Sequence, residues 1–272
     1  MNQIPLRILK ETAKDALIRG GDIVRRGFYR SRRVTYKGPL SPVTQIDLQS
    51  ERAVIGLIRK RFPGHEFLAE ESAFLKKINP HGTASKTYRW LIDPLDGTTN
   101  FVHRVPHACV SVAVEHEGEI LAGGVIDPFR DELFLAEQGG GAFLNGKRIF
   151  VSQEKNLLHS LFITGFPYNH NLYAQKYAKT LVPFLRKTAD LRRFGAAAID
   201  LAWIACGRAE GYFEYHLNPW DVGAGYLLVK EAGGEMTDFR GRPFQVLSPV
   251  QTLATNREIH KKALNMLRFC LS

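Results

Sequence analysis

Apolar residues recur at three- and four-residue spacing through the first 30 positions of the chain, which predicts one amphipathic helix there. The adjacent glycines Gly20 and Gly21 are a weak point within it, because glycine disfavours the helical conformation. A second helix is predicted to begin near Asp47 and to end before Pro63 and Gly64, which interrupt the pattern. The apolar positions of the first helix are Leu6, Leu9, Ala13, Ala16, Leu17, Ile23, Val24 and Phe28.

Short apolar runs rich in β-branched residues replace the helical spacing between residues 88 and 136, and such runs predict strands. Turn-forming residues separate the last three runs, so we expect those strands to be antiparallel neighbours in one sheet. Asn145–Gly146 follows them and is a typical hairpin turn. The predicted strands cover 88–92, 108–116, 120–127 and 132–136.

Strand and helix patterns alternate in the second half of the chain. This order predicts an α/β layered sandwich, with layers of helices alternating with mixed sheets. Residues 1–272 are expected to form one domain of two fused lobes, at about 1–150 and about 151–272. The predicted strands here are 160–166, 190–194, 211–215, 234–238 and 251–255, and the helices are 172–187, 197–207, 221–232 and one from 257.

The composition is that of an ordinary globular protein. Hydrophobic residues make up 44% of the chain and charged residues 24%, and no stretch approaches the roughly 20 apolar residues that cross a bilayer. The three cysteines, Cys109, Cys206 and Cys270, are isolated, so neither a zinc site nor a disulfide framework is indicated. The N-terminus has no signal-peptide pattern, and together these features favour a cytoplasmic protein without membrane attachment.

The chain is basic, with a net charge of +10 and a pI near 9.6. Such a charge fits attraction of anionic small molecules, or of nucleic acid through a basic surface. The lysines and arginines occur in short scattered groups rather than in one tract. This distribution favours the plainer interpretation, a solvated surface that is rich in basic residues.

Residues 90–100 carry the strongest candidate chemistry. An apolar strand there delivers Asp93 and Asp96 into a turn that a proline and a glycine impose. Two carboxylates this close repel each other, so their pairing predicts a hard metal ion or a shared proton. Gly97 allows backbone N–H groups to approach an anion, and Thr98 adds a hydroxyl. The alternative is plain turn chemistry, in which the carboxylates cap their own backbone.

Two further acidic segments extend this interpretation. Glu70 and Glu71 follow a short apolar run, and in an extended chain only one of the two side chains would face a site. Asp221 precedes a helix rich in small residues, with Trp220 beside it to fix it by packing. Taken singly, the glutamates fit a solvated loop or the first turn of a helix, and Asp221 fits an ordinary helix N-cap, so neither segment decides the function alone.

Taken together, these segments resemble the signature of the inositol monophosphatase family. They read FLAEES, WLIDPLDGTTNFVH and NPWDVGAG followed by EAGG, in this order and separation. VTQID and GAAAIDLAWIACGRAEGYFE are similar to further family segments, so the resemblance covers nearly the whole chain. It implies a sugar-phosphatase-like layered sandwich, a homodimer, and lithium-sensitive, Mg²⁺-dependent hydrolysis of a small phosphate monoester such as inositol 1-phosphate.

The resemblance also implies roles for individual residues. About two or three Mg²⁺ ions would be held by Glu70, Asp93, the backbone carbonyl of Leu95, Asp96 and Asp221. Thr98 and Glu70 would orient the attacking water beside Asp93, with support from Asp47. The substrate would be bound by backbone amides of Asp96, Gly97 and Thr98 at the phosphate, and by Gly195, Ala196, Ala197, Glu214 and Asp221 at the polyol. Ala196 stands where the family often has serine or threonine, which weakens any side-chain contact there.

Other phosphatase classes do not fit the spacing. Asp93 and Asp96 are not the D-x-D pair of aspartyl-phosphate enzymes, and Cys206 lacks an arginine five residues later. Within the superfamily, fructose-1,6-bisphosphatase, nucleotide 3′-phosphatase and histidinol-phosphatase activities remain as alternatives. A binding role towards RNA or a transcription complex is a further alternative, because the family includes a bacterial member with such a role and this chain is basic.

Overall fold

The computed structural model describes residues 4–30, 34–38, 41–167 and 170–268, so Cys270 lies outside the described residues. The helices within them are α1 (Leu6–Phe28), α2 (Gln45–Arg61), α3 (Glu70–Lys76), α4 (Thr98–Val102), α5 (Ala174–Lys187), α6 (Ala197–Ala205), α7 (Pro219–Glu231) and α8 (His260–Arg268). The strands are β1 (Val34–Gly38), β2 (Ser41–Thr44), β3 (Glu66–Ala69), β4 (Arg89–Asp96), β5 (Cys109–His116), β6 (Glu119–Asp127), β7 (Glu132–Glu137), β8 (Gly141–Leu144), β9 (Lys147–Ile149), β10 (Leu161–Thr164), β11 (Asp190–Arg192), β12 (Gly211–Tyr215), β13 (Glu235–Thr237) and β14 (Gln251–Thr255).

These elements stack in alternating layers, which confirms the predicted α/β sandwich. Helices α1 and α2 cover one face of a seven-stranded sheet, and α6 and α7 lie between that sheet and a five-stranded one. Helices α5 and α8 cover the outer face of the five-stranded sheet. Separate hydrophobic clusters fill the spaces between layers. None of the helices in the described ranges is both long and apolar enough to span a membrane.

The seven-stranded sheet runs in chain order from β3 to β9. Strands β5, β6 and β7 are antiparallel neighbours, as predicted, whereas β3 pairs with β4 in parallel. Side chains along β4 alternate between the two faces: Trp90 and Ile92 pack with α1 and α2, and Leu91 packs in the cluster that contains α6 and α7. Because both faces are covered, the strand is a continuous apolar run in the sequence.

The five-stranded sheet has the order β11-β10-β12-β14-β13, with β10 parallel to both of its neighbours. On β12, Phe213 faces the outer helices and Tyr212 faces the helices between the sheets. The first sheet ends at Ile149 and the second begins at Leu161. The division into two lobes near residue 150 stays a prediction, because one hydrophobic cluster includes side chains from both sheets.

Some elements differ from the sequence prediction. The hairpin of β1 and β2 was not predicted, because its strands are short, contain Pro42 and lack an apolar alternation. The expectation of an extended chain through Glu70 and Glu71 is wrong, and the alternative of a helix first turn is confirmed, since Glu70 begins α3. Acidic residues in a first helical turn are favoured by the positive end of the helix dipole. The last helix begins at His260 rather than near residue 257.

The end of β4 carries the turn that positions the candidate site. Pairing between β4 and β5 becomes irregular from Asp93 to Asp96, so the strand leaves the regular sheet at this point. Gly97 has a φ of +86°, and a Cβ on it would lie 2.9 Å from the backbone oxygen of His107. Only glycine fits this turn, for both reasons. Helix α4 begins directly after it, at Thr98.

Candidate active site

A cavity of about 120 Å³ lies where the end of β4 meets α3, α6 and α7. It brings together most of the site residues expected from the sequence: Glu70, Asp93, Leu95, Asp96, Gly97, Thr98, Gly195, Ala197, Glu214 and Asp221 line it. The other two expected residues do not line it. Asp47 is buried next to Thr98, and Ala196 is buried against Gly97. The site therefore gathers side chains that are up to 151 residues apart, from Glu70 to Asp221.

The backbone turn after β4 is held by side chains of the site itself. Asp93 is almost completely buried, and its Oδ1 accepts a hydrogen bond from the Leu95 N–H at 3.0 Å. The Thr98 hydroxyl lies 2.9 Å from the Leu95 carbonyl oxygen and 3.1 Å from Asp47 Oδ1. These contacts leave the second oxygen of Asp93 available to the cavity, and they fix the position of the Thr98 hydroxyl.

Asp47 is placed by the start of α2. Its Oδ2 accepts hydrogen bonds from the backbone N–H of Thr44 at 2.8 Å and from the Thr44 hydroxyl at 2.6 Å. Thr44 is the N-cap of α2 and Asp47 is the third residue of its first turn, so the pair forms a capping box. Burial raises the pKa of Asp47 to about 6. The helix start thus presents one carboxylate oxygen to Thr98 from behind the cavity wall.

The carboxylates of Asp96 and Asp221 reach the cavity from different layers of the sandwich, the first from β4 and the second from α7. Asp96 Oδ2 accepts a hydrogen bond from the Ala198 N–H of α6 at 2.7 Å. Asp221 is the third residue of α7, not its N-cap, so the N-cap interpretation of this residue is wrong. The cap is Asn218, and its backbone N–H donates to Asp221 Oδ2 at 2.7 Å. Each carboxylate is therefore anchored through one oxygen and keeps the other for the cavity.

Glu70 and Glu71 share a partner that sequence analysis did not find. The Lys37 ammonium, on β1, donates to Glu70 Oε1 at 2.9 Å and also to Glu71. Only Glu70 lines the cavity, as expected for one of the two glutamates, although the reason is the helical turn rather than an extended strand. Burial, followed by the charge of Glu70, raises the pKa of Glu71 to about 8. Nothing in the local sequence of β1 indicates this contact.

The carboxylates of the cavity lie close enough together to raise one another's pKa. Burial and then the charges of Glu70, Asp96 and Asp221 raise the pKa of Asp93 well above its usual range. The pKa of Asp221 is also raised well above its usual range, by burial and then by Glu70 and Asp96. Burial raises the pKa of Asp96 to about 7. A cluster of buried carboxylates that raise one another's pKa is an unfavourable arrangement without a counter-charge.

The chemistry of these donors fits hard divalent cations such as Mg²⁺. Carboxylates and a backbone carbonyl provide only oxygen atoms, which is the ligand type that Mg²⁺ prefers. Among the described residues, no three acidic, histidine or cysteine side chains are arranged tightly enough to hold an ion as they stand. Glu70 is drawn towards Lys37, while Asp96 and Asp221 each direct one oxygen to a backbone N–H. As they lie, these oxygens do not converge on one point.

Several residues that line the cavity were not found from the sequence. They are Thr99, Phe166, Pro167, Arg193, His216, Leu217 and Asn218. Thr99 and Asn218 lie within the segments already quoted, so proximity in the sequence could have indicated them. Phe166, Arg193 and His216 come from the loops that follow β10, β11 and β12, and only the order of the strands in the second sheet brings those loops together.

A layered α/β sandwich whose strand end gathers buried carboxylates around a small polar cavity defines a class of enzymes, the phosphatases that use divalent cations to cleave phosphate esters. This chain belongs to the inositol monophosphatase family, whose model matches residues 6–272. It is accordingly a phosphatase, a hydrolase acting on phosphate monoesters.

Individual relatives agree with this assignment. The chain is 40% identical over 237 residues to the inositol-1-monophosphatase of Caulobacter vibrioides, covering 86% of this chain and 90% of that protein. It is 43% identical over 236 residues to the Nus factor SuhB of Escherichia coli, covering 87% and 86%. The solved structure of the inositol monophosphatase from Anabaena superposes with a TM-score of 0.85 at 36% identity, covering 97% of this chain and 96% of that chain.

Proposed function

We propose that this protein hydrolyses inositol 1-phosphate, or a closely related polyol phosphate, to the polyol and phosphate with Mg²⁺ as its cofactor. The observation that carries the proposal is the single cavity shared by Glu70, Asp93, Asp96 and Asp221. The Caulobacter relative, named as an inositol-1-monophosphatase, supports the choice of substrate.

The proposed metal ligands are those expected from the sequence. Glu70, Asp93, Asp96, Asp221 and the carbonyl of Leu95 would hold the ions, of which we propose about two or three. Bound there, Mg²⁺ would neutralise the charge of the phosphate and lower the pKa of water. These carboxylates come from α3, β4 and α7 and all line the cavity, which supports this choice of ligands.

The residues of the chain would act on the attacking water and the phosphate. Since the Thr98 hydroxyl lies within reach of two acceptors, Asp47 Oδ1 and the Leu95 carbonyl, it can donate its proton away from the cavity. Its lone pairs are then left to accept a hydrogen bond from the attacking water, and Glu70 can take up the proton that the water loses. Backbone N–H groups from Asp96 to Thr98 would hold the phosphate.

The polyol would lie on the opposite side of the cavity. Glu214 can accept a hydrogen bond from a hydroxyl group of the substrate, and backbone groups of Gly195 and Ala197 line the same wall. Asp221 would serve both the metal and the polyol. The side chain of Ala196 is buried away from the cavity, so any contribution of this residue would come from its backbone.

A substrate panel tests the proposal. Phosphate release would be measured for inositol 1-phosphate, fructose 1,6-bisphosphate, adenosine 3′,5′-bisphosphate and histidinol phosphate with Mg²⁺ present. We expect the highest kcat/KM for inositol 1-phosphate. A kcat/KM for fructose 1,6-bisphosphate that is higher by about tenfold, equivalent to 1.4 kcal/mol, would replace the proposed substrate by the bisphosphate.

Removal of divalent cations is expected to abolish this activity. After exhaustive chelation, kcat should fall by at least about 10³-fold and return when Mg²⁺ is added. Li⁺ and excess Ca²⁺ are expected to suppress it, because they occupy oxygen sites without the charge or the strict octahedral geometry of Mg²⁺. Phosphate release that persists in the chelated protein would rule out the proposed cofactor.

A second candidate function is binding to RNA or to a transcription complex. It is favoured by the net charge of +10 and by the 43% identity to a relative named as a Nus factor. Asp96→Asn tests whether the two functions are separate. We expect this variant to lose phosphatase activity while binding RNA and RNA polymerase as the unchanged protein does. Failure of the unchanged protein to bind either at physiological salt would eliminate the second function.

We also propose that the protein is a cytoplasmic homodimer, following the family resemblance. One chain has a mass of 30.7 kDa, so sedimentation equilibrium distinguishes a dimer from a monomer directly. A mass equal to that of one chain at micromolar concentration would contradict the proposed dimer.

A further inference from the structure

Glu214 lies at the cavity wall with one of its oxygens already bound. Tyr212 and Glu214 are two residues apart on β12, so their side chains share one face of the strand. The Tyr212 hydroxyl donates a hydrogen bond to Glu214 Oε2, and the Tyr212 side chain is completely buried. Glu214 itself is only 7% exposed. The carboxylate is therefore held from within the protein, and its other oxygen is left for the cavity.

Gly165 confines the same carboxylate from a second side. It follows β10, which is the parallel neighbour of β12. A Cβ added to Gly165 would lie 2.5 Å from Glu214 Oε1 and would collide with the rest of the carboxylate as well. The carboxylate thus occupies the space that a side chain at position 165 would need. Between Tyr212 and the backbone of Gly165, Glu214 has little freedom to turn.

The hydrogen bond between Tyr212 and Glu214 has a fixed direction. Burial, and after it the charge of Glu214, raises the pKa of Tyr212 well above its usual range, so the hydroxyl keeps its proton. Burial raises the pKa of Glu214 to about 8, and above that pH only the Tyr212 hydroxyl can donate. Without that donor, Glu214 Oε2 would be a buried oxygen that has lost its partner, which costs free energy and favours either protonation or rotation of the carboxyl group.

We propose that Tyr212 and Gly165 are positioning residues, which direct the free oxygen of Glu214 towards a hydroxyl group of the substrate. They thereby give the enzyme its preference for polyol phosphates over phosphate esters that carry no hydroxyl group. This inference rests on the proposed function. It adds to it the two residues that determine where Glu214 lies.

Tyr212→Phe tests the inference because it retains the buried ring and removes only the hydroxyl. With inositol 1-phosphate at pH 8.5, above the pKa of about 8 to which burial raises Glu214, we expect KM to rise by about tenfold, the effect of weakening one hydrogen bond to a charged group, while kcat changes little. With p-nitrophenyl phosphate, which has no hydroxyl group for Glu214 to bind, KM and kcat should both stay within about twofold. Steady-state kinetics with the full-length protein and Mg²⁺ measures this split.

Three further variants separate positioning from a general loss of packing. Tyr215→Phe removes another buried hydroxyl of β12, which faces the outer helices and lies 3.2 Å from the Thr180 hydroxyl. This variant should leave KM and kcat unchanged for both substrates. Gly165→Ala should displace the carboxylate and reproduce the effect of Tyr212→Phe. In the background of Glu214→Gln, Tyr212→Phe should raise KM no further, because residues that act through one contact are not additive.

The outcomes distinguish the inference from the proposed function. If the unchanged protein cleaves neither substrate, or cleaves p-nitrophenyl phosphate but not inositol 1-phosphate, the proposed function fails. If it prefers inositol 1-phosphate and Tyr212→Phe leaves that KM unchanged, only the positioning role fails. The positioning role also fails if Tyr212→Phe raises KM equally for both substrates. A tenfold rise confined to inositol 1-phosphate and absent from Tyr215→Phe supports the inference.

Discussion

Asp93→Asn is expected to reduce phosphate release at least about 10³-fold while the protein remains folded, because the variant loses one charged ligand of the proposed metal site. The amide oxygen of asparagine can still accept the hydrogen bond from the Leu95 N–H, so the turn after β4 should persist. Asp221→Asn is expected to lose activity to a similar extent and to remain folded, since its amide oxygen can accept the hydrogen bond from the Asn218 N–H.

Asp93→Asn should also make the metal-free protein more stable at neutral pH. Burial and neighbouring charges raise the pKa of Asp93 well above its usual range, so the folded protein must keep a proton that the unfolded chain releases above about pH 4. Asparagine removes that cost. We expect the free energy of unfolding to rise at pH 7 and to change little at pH 4. Urea unfolding in the presence of a chelator measures both values.

Asp127→Asn is a matched control for Asp93→Asn. Asp127 ends β6 in the sequence Ile-Asp-Pro-Phe, as Asp93 lies in Ile-Asp-Pro-Leu, and it is likewise buried. Its Oδ1 accepts a hydrogen bond from the Phe129 N–H at 2.9 Å, in the same turn geometry. It does not line the cavity. Activity of Asp127→Asn should stay within about twofold, and normal turnover by Asp93→Asn would refute the site assignment.

The stability of the metal-free protein is expected to fall as the pH rises from 6.5 to 8.5. Burial raises the pKa of Asp96 to about 7 and those of Glu71 and Glu214 to about 8, and the pKa values of Asp93 and Asp221 are raised well above their usual range. In this range the unfolded chain has already released these protons, whereas the folded protein still holds some of them. The free energy of unfolding therefore decreases with pH, by about 1.4 kcal/mol per pH unit for each proton retained.

Histidines set the lower limit of this pH range, at pH 6.5. Burial lowers the pKa of His65, His107, His216 and His260, so their contribution to stability is present above pH 6.5 and is lost as the pH falls below it. Above pH 6.5 they are neutral in both states, and the carboxylates act alone. Added Mg²⁺ should raise Tm most at pH 8.5, where the ligands are ionised. A Tm that stays constant or rises with pH in the chelated protein would contradict the prediction.

The sequence predicted those parts of the molecule that depend on local order. The apolar alternation of β4 and the turn at Asp93–Asp96 lie within a few residues of each other, so spacing alone indicated a paired carboxylate site. The layered sandwich followed from alternating strand and helix patterns. Glu70 and Asp221 gave no decisive local signal, because their positions fit a loop or a helix cap equally well. Glu70 and Asp221 were assigned to the same site as the turn only because their order along the chain matches a family signature.

The remaining parts of the site depend on contacts between distant segments. Lys37 reaches Glu70 from a hairpin whose short polar strands give no periodic signal. Tyr212 looks like an ordinary apolar strand residue, and its hydroxyl matters only because β12 turns it towards Glu214. Gly165 resembles a plain loop glycine until the parallel pairing of β10 with β12 places it against the same carboxylate. Such relations require the tertiary fold.

The contribution of α7 to the cavity has a consequence for protein synthesis. Asp96 is made in the first half of the chain, whereas Asp221 leaves the ribosome only when most of the second half has been translated. A chain that terminates early lacks both Asp221 and Glu214, so it presents an incomplete set of oxygen atoms to cations and no support for the substrate. If the proposed site is correct, we therefore expect prematurely terminated fragments to be inactive, and the capacity to cleave phosphate esters to arise only in nearly finished molecules.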